Sequence, residues 1–176
     1  RKDIGTVDEV DNKEHIRHLT GHVGIAHTRW ATHGQVTREN AHPHLSCRGD
    51  FVVVHNGIIS NYKTLRGNLT NAGHTFVSGT DTEVVAHLIE QHYDACGDIE
   101  RAWVHTLRDL EGSYALAMIS IYDRDRIYCA RHESPLIIGI GREANYVGSY
   151  FSALNEKTKE TVLLDDGENG IVSKDS

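Results

Sequence analysis

Residues 27–34 carry an unusual density of polar side chains directly after a short apolar run. Gly24-Ile25-Ala26 is typical of the start of a buried strand, and His27-Thr28-Arg29-Trp30-Ala31-Thr32-His33-Gly34 follows it. Burying an arginine, two histidines and two threonines within so few residues costs free energy unless each polar group finds a partner. We therefore expect this segment to form a loop that wraps around a polar ligand.

A second segment also constrains the fold, namely Phe51-Val52-Val53-Val54-His55-Asn56-Gly57-Ile58-Ile59. Its run of three valines is apolar and β-branched, which predicts a short buried strand. The run ends at His55-Asn56-Gly57, where a glycine allows the backbone to turn tightly or to approach a ligand closely. This strand is thus predicted to carry polar groups to the same ligand.

Four ordered blocks of sequence resemble one known family. They are HTRWATHG (27–34), AHPH (41–44), VVVHNGIISN (52–61) and TFVSGTDTEV (75–84), with a weaker match at 130–136. In order and spacing they resemble the glutaminase domain of the N-terminal-nucleophile (class II) glutamine amidotransferases. The resemblance implies an α+β fold, a four-layer α-β-β-α sandwich that is incomplete at its N-terminus. It also implies hydrolysis of glutamine to glutamate and ammonia.

Glutamine hydrolysis requires a nucleophile, stabilisation of an oxyanion and recognition of two opposite charges on the substrate. Arg29 offers a planar fork for the α-carboxylate, and Asp81 offers a carboxylate for the α-ammonium group. The side-chain amide of Asn56 and the backbone N–H of Gly57 are donors of the kind that an oxyanion hole uses. The resemblance implies that these residues, together with Trp30, Thr32 and His33, form the glutamine site, with Trp30 shielding it and gating the passage of ammonia.

The nucleophile of the resembling family is the thiol of an N-terminal cysteine, whereas residue 1 here is an arginine. We therefore expect an N-terminally shortened glutaminase domain, inactive as given, that also stops before the sugar-phosphate isomerase domains. Of the three cysteines, Cys96 and Cys129 are expected to be structural. Cys47 stands beside Arg48, and a nearby cation lowers the pKa of a thiol, so an internal nucleophile is a minor alternative.

Composition limits the possible partners and the compartment. With 176 residues, 39% hydrophobic and 24% charged, the chain is expected to form one soluble domain. A formal net charge of −7 argues against nucleic acid or an anionic membrane as a partner. The cysteines show no paired spacing and no apolar run could span a bilayer, which favours the cytoplasm. No cofactor is expected.

Hydrophobic periodicity predicts helices first and antiparallel strands afterwards. The helix predicted over about residues 61–73 is expected to be capped by Ser60 or Asn61, and Gly73 suits its C-terminal exit. The predicted helices cover about 7–19, 61–73, 82–95 and 99–110. The predicted strands cover about 114–121, 126–130, 136–140, 145–148, 161–164 and 170–172.

Several alternatives remain open. Within the family, the predicted acceptor of the ammonia is fructose 6-phosphate, giving glucosamine 6-phosphate in an enzyme that could be a homodimer. The domain that feeds phosphoribosylamine synthesis is one alternative, and a non-catalytic glutamine-binding module is another. A zinc-binding domain would use some of His27, His33, His42, His44 and His55, but no cysteine pair or helical His-Glu-x-x-His motif supports it, and we predict no metal. Asp81-Thr82-Glu83 could be a simple helix cap, and Arg29 could form a structural ion pair.

Overall fold

A computed structural model of the chain describes residues 1–29 and 35–174. The predicted site residues Trp30, Thr32 and His33 lie outside the described residues. The described α-helices are α1 Val7–Glu14, α2 Tyr62–Asn71, α3 Glu83–Cys96, α4 Ile99–Asp109 and α5 Phe151–Leu154, with a 3-10 turn at Ile16–His18. The described β-strands are β1 His44–Leu45, β2 Phe51–Ile59, β3 Gly112–Ser120, β4 Asp123–His132, β5 Ile137–Ile140, β6 Tyr146–Gly148, β7 Glu160–Leu163 and β8 Asn169–Val172.

The four predicted helices are confirmed, with two corrections at their ends. The first helix stops at Glu14 because His15 takes a left-handed conformation with φ of 53°, and the chain continues as a 3-10 turn. Asn61 precedes α2 without capping it. Its side chain instead donates to the carbonyl of Asp109 (2.8 Å) and accepts from the N–H of Glu111 (3.2 Å), which ties α2 to the end of α4. None of the described helices has the length and apolar composition needed to cross a membrane.

The larger sheet contains five antiparallel strands in the order β1-β2-β3-β4-β8. The predicted hairpin at 114–130 is its centre, formed by β3 and β4. Strand β2 pairs with β3 along its whole length, with Asn56 opposite Ala115 and Gly57 opposite Tyr114. The prediction of a buried strand beginning at residues 24–26 is wrong: this segment is irregular, and Gly24 and Ala26 are exposed.

One face of the larger sheet is covered by α2, α3 and α4. Every residue of α3 from Glu83 to Glu90 is buried, so this helix lies inside the domain rather than on its surface. Its apolar side chains pack with Trp103 of α4 and with Phe51 and Leu116 of the sheet. The predicted role of Trp103 as a core residue is thus confirmed, since only 1% of it is exposed.

The opposite face of the larger sheet packs on the smaller sheet, which has the order β6-β5-β7. Cys129 and Val172 of the larger sheet lie in one apolar cluster with Leu136, Leu164 and Ile138. On the outer side of the smaller sheet, the side chain of Leu154 in α5 lies over Gly139 and Gly148. Helices, sheet, sheet and a short helix therefore follow one another, and the predicted four-layer α-β-β-α architecture is confirmed.

Candidate active site

A cavity of about 730 Å³ lies where β2 ends, next to the loop that precedes α3 and the segment 26–29. Four of the predicted site residues line this cavity: Arg29, Asn56, Gly57 and Asp81. They come from three of the sequence blocks that carry the family resemblance. Arg29 and Asp81, which are 52 positions apart in the sequence, thus line the same cavity.

Gly57 holds a backbone conformation that other residues rarely adopt. Its φ is +135°, and a Cβ atom at this position would collide with the carbonyl group of Ser113 on the neighbouring strand. Such a conformation favours glycine because an L side chain would be strained whatever the space. The glycine therefore lets β2 stay paired with β3 while its last residues line the cavity.

The loop that carries Asp81 is fixed by hydrogen bonds along its length. The carboxylate of Glu83 accepts from the N–H groups of Val77 (2.8 Å) and Ser78 (2.7 Å) and from the hydroxyl of Ser78 (2.6 Å). Asn40 accepts from the N–H of Gly79 at 2.8 Å. Burial alone would raise the pKa of Glu83, but the hydrogen bonds from His87, Ser78 and Val77 outweigh it and lower the pKa to about 2. The buried carboxylate therefore stays ionised and holds the loop.

Asp81 and Thr82 do not cap α3, which removes the simple helix-cap alternative. One oxygen of Asp81, Oδ2, accepts from the N–H of Ile59 in β2 at 2.8 Å. The hydroxyl of Thr82 is bonded to Nδ1 of His55 at 2.9 Å, and α3 begins without a side-chain cap. Both side chains therefore face β2 and the cavity, and the bond to Ile59 orients the Asp81 carboxylate.

Arg29 supplies the opposite charge on the cavity wall. Its guanidinium donates to the carbonyl of Gln35 at 3.3 Å. A guanidinium and the Asp81 carboxylate thus line the same cavity, which is the combination that an α-carboxylate and an α-ammonium group of an amino acid require. The cavity can accommodate a small zwitterionic ligand.

Three histidines beside the cavity, His42, His44 and His55, form hydrogen bonds within the protein. His42 accepts from the N–H of His55 (3.3 Å), and Nε2 of His44 is bonded to the hydroxyl of Thr80 (3.2 Å). Burial lowers the pKa of His55, an effect that Asp81 opposes. Burial, with a contribution from Lys2, lowers the pKa of His44 to about 3. These imidazoles are therefore neutral hydrogen-bonding groups at neutral pH.

Some lining residues were not predicted. Ser113 enters from β3, Ser149 and Tyr150 enter from the connection between β6 and α5, and Ala153 enters from α5. Ser113 could have been found from the pairing of β2 with β3, because it lies opposite Ile58. The other three depend on how the smaller sheet packs on the larger one, which no local pattern reveals.

The cysteines lie outside this cavity wall. Cys129 is buried in β4, where burial raises the pKa of its thiol to about 11. Cys96 is the last residue of α3 and donates to the carbonyl of Asp98. Cys47 is exposed, and Arg48 directs its guanidinium to Asp50 and Asp94 rather than to the thiol. The geometry gives no support to an internal cysteine nucleophile at the cavity.

Comparison with known proteins adds a family match over residues 27–156, to the family described as glutamine amidotransferase domain. The chain is 50% identical over 175 residues to glutamine–fructose-6-phosphate aminotransferase (isomerizing) of Pyrococcus horikoshii, covering 99% of this chain and 29% of that protein. It is 48% identical over 175 residues to the protein of the same name from Methanothermobacter thermautotrophicus, covering 99% and 30%. The chain therefore spans only about 30% of the length of these relatives.

Solved structures resemble the fold. A chain described as the allosteric regulatory enzyme of purine biosynthesis superposes with a TM-score of 0.72 at 27% identity, covering 85% of this chain and 32% of that one. Glutamine phosphoribosylpyrophosphate amidotransferase from B. subtilis gives a TM-score of 0.62 at 25% identity, covering 84% and 34%. In both, as in the curated relatives, the matched part is about a third of the longer chain.

Proposed function

This chain belongs to the glutamine amidotransferase domain family, and from this premise we propose that residues 1–176 form one glutaminase domain. It binds glutamine and hydrolyses it to glutamate and ammonia as part of a longer protein. One observation carries the proposal. Asn56, Gly57, Asp81 and Arg29, which the chemistry of glutamine hydrolysis requires, line a single cavity.

Each of these residues has a defined role in the proposed reaction. Arg29 binds the α-carboxylate and Asp81 the α-ammonium group, so that the side-chain amide of glutamine points to the end of β2. The attacking thiolate, which the family resemblance assigns to an N-terminal cysteine, bonds to the amide carbon. The negative charge then develops on the amide oxygen, where the donors of Asn56 and Gly57 stabilise it. The C–N bond then breaks as the leaving nitrogen takes up the proton that the thiol gave up, so that ammonia and a thioester form. Water cleaves the thioester to release glutamate and the free thiol.

Trp30, Thr32 and His33 remain proposed members of the same site. The resemblance assigns Thr32 and His33 to the glutamine pocket and Trp30 to shielding and ammonia passage. They lie within four positions of Arg29 in sequence, and Arg29 lines the cavity. The adjacent position along the chain is the support for including them.

The proposed acceptor of the ammonia is fructose 6-phosphate, which is converted to glucosamine 6-phosphate by a sugar-phosphate isomerase domain of the same protein. The names of the curated relatives support this acceptor, at higher identity than the purine-pathway structures. A homodimer of the full-length protein remains part of the proposal, and so does a cytoplasmic location.

The proposal is tested on the full-length protein with isotopically labelled glutamine. We expect release of glutamate, and formation of glucosamine 6-phosphate when fructose 6-phosphate is present. If glutamate is released but the ammonia is transferred only to phosphoribosyl pyrophosphate, the proposed acceptor is wrong and the proposed glutaminase activity stands. Calorimetric binding of glutamine with no glutamate formed under either condition would contradict catalysis and favour a non-catalytic glutamine-binding module.

A further inference from the structure

A second group of polar side chains lies along α3, away from the cavity wall. Cys47 follows β1, His74 follows α2, and His87 and Glu90 belong to α3. One ligand atom from each of them lies within 4.8 Å of all the others. Among the residues that the structure describes, this is the group of His, Cys, Asp or Glu side chains with metal-binding geometry.

Three distances between the ligand atoms are close to the edges of a tetrahedral zinc site. Sγ of Cys47 lies 3.4 Å from Nδ1 of His87 and 3.6 Å from Nδ1 of His74. Nδ1 of His74 lies 3.6 Å from Oε2 of Glu90. Zinc bond lengths at tetrahedral angles give edges of about 3.6 Å between sulfur and nitrogen and about 3.4 Å between nitrogen and oxygen. These three distances are therefore compatible with ligands around one zinc ion.

His87 is held as metal-ligating histidines usually are. Its Nε2 lies 3.5 Å from Oε1 of Glu83, one turn earlier on α3, and the side chains of both residues are buried. A carboxylate on one ring nitrogen fixes the tautomer and directs the other nitrogen to the metal. Glu83 is itself held by Val77 and Ser78, so the imidazole has a rigid support.

The loop that carries Cys47 is fixed over the same helix. Glu90 accepts from the N–H groups of Cys47 (3.2 Å) and Arg48 (3.0 Å), and only 2% of its side chain is exposed. The N–H of Thr75 lies 3.3 Å from the sulfur of Cys47, a contact that stabilises a thiolate. Cys47 itself is exposed, which leaves a path for a metal ion to enter.

We propose that Cys47, His74, His87 and Glu90 bind one zinc ion, as a site separate from the glutamine cavity. Two imidazoles, a thiolate and a carboxylate form a tetrahedral set of the kind that zinc accepts. A Cys47-His87-Glu83 nucleophilic triad would use part of the same geometry. It would have no use for His74 or Glu90 beside the sulfur, and Cys47 does not line the glutamine cavity.

The proposal is tested by metal content and by cobalt spectroscopy of the full-length protein. After loading with zinc and removal of loosely bound metal, we expect wild type to retain one more equivalent of zinc than the Cys47→Ala variant. With Co²⁺ as the probe, a thiolate-to-cobalt charge-transfer band should appear in wild type and be absent in Cys47→Ala. The matched control is Cys96→Ala, which removes another accessible thiol and should keep both the zinc and the band.

Two further variants separate metal binding from a general loss of structure. His74→Ala should lose the zinc while circular dichroism remains that of wild type, because His74 lies after the end of α2. Glu83→Gln keeps all four ligands and should weaken zinc binding about 10- to 100-fold. Equal zinc and cobalt binding by wild type, Cys47→Ala and His74→Ala would overturn the proposal, and so would a wild-type protein that takes up neither metal. Alkylation of Cys47 at an unchanged rate in saturating zinc would overturn it as well.

Discussion

The glutamine cavity lies beside the loop that leads into α3, and the proposed zinc site lies along α3 itself, yet the two are encoded in different ways. The cavity takes its polar groups from short continuous motifs at the end of β2 and at the start of α3. The zinc site takes Cys47, His74, His87 and Glu90 from segments with no common motif. Both sites depend on convergence in space, but the cavity residues stand in sequence blocks that resemble a known family, whereas the four proposed metal ligands do not. The first kind of site can be predicted from sequence, and the second becomes visible only in the fold.

The largest expected effect is a loss of glutamine turnover, and it concerns the cavity and not the proposed zinc site. In the full-length protein, Asn56→Ala should lower glutamine turnover about 100- to 1000-fold because one oxyanion donor is lost. Glutamine affinity should change little, since the donor acts on charge that develops only in the transition state. Steady-state kinetics and calorimetry measure the two quantities. Asn71→Ala, at the exposed end of α2, is the matched control, and near-normal turnover of Asn56→Ala would exclude the assigned role.

The second effect concerns the backbone at the cavity. Gly57→Ala should lower the free energy of unfolding by on the order of 3 kcal/mol, because φ is +135° and the added Cβ meets the Ser113 carbonyl. Urea unfolding measures this change. Gly67→Ala is the control: the position is helical with open space around it, so alanine should stabilise by about 0.5 to 1 kcal/mol. Equal midpoints for the two variants would contradict the strained geometry.

The third effect is acid sensitivity near the cavity. Because the pKa of His44 falls from 6.5 to about 3 on folding, the unfolded chain binds a proton more readily. The contribution of neutral His44 to the free energy of unfolding is therefore complete above pH 6.5. It decreases as the pH falls below that value and levels off near pH 3. Because of this histidine, the free energy of unfolding should be about 2 kcal/mol lower at pH 5 than at pH 7.

His44→Gln should remove that part of the pH dependence, since a neutral amide can still bond to Thr80. Urea midpoints at pH 7 and pH 5 provide the measurement. The same substitution at His18, an exposed residue of the 3-10 turn, is the matched control. A pH dependence in His44→Gln as steep as that of wild type would show that other groups cause the acid sensitivity.

The smallest effect tests what holds the zinc site in place. Arg48 binds Asp94 and Asp50 beside the site, but its side chain is 46% exposed. Arg48→Gln should therefore change the free energy of unfolding by less than about 1 kcal/mol, because exposed ion pairs contribute little. The backbone bonds to Glu90 should keep Cys47 in position, so cobalt binding should persist. A large loss of stability, compared with Arg124→Gln at another exposed position, would show that the ion pairs carry the site.

Local sequence patterns predicted most of the fold because the apolar periodicity that indicates a helix or a strand lies within each element. The periodicity of α3 predicted its position to within one residue. Helix α2 ends at Asn71, two residues before the predicted Gly73, which has a φ of +99° at the exit from the helix. The strand at 24–26 failed because its apolar run is only three residues long, and two of them are exposed. Asn61 failed as a cap because the carbonyl of Asp109 and the N–H of Glu111 compete for its side chain, and only the packed structure brings them near.

The site shows the same division. Arg29, Asn56, Gly57 and Asp81 could be named in advance because the charges and dipoles of glutamine dictate them. Tyr150 could not be, because its place at the cavity depends on how the smaller sheet packs on the larger one. The sequence contains thirteen histidines. It could not indicate which of their ring nitrogens form hydrogen bonds within the protein and which lie close enough together to bind a metal ion.

Glu83 has one further consequence, because its two oxygens serve both regions. One carboxylate holds the Val77–Ser78 part of the loop before Asp81 and also supports His87. Thermodynamic linkage requires any coupling through this carboxylate to be reciprocal. The factor by which a metal ion changes the dissociation constant of glutamine must equal the factor by which glutamine changes that of the metal ion. Two binding titrations therefore determine a single coupling free energy, and each serves as an independent check on the other.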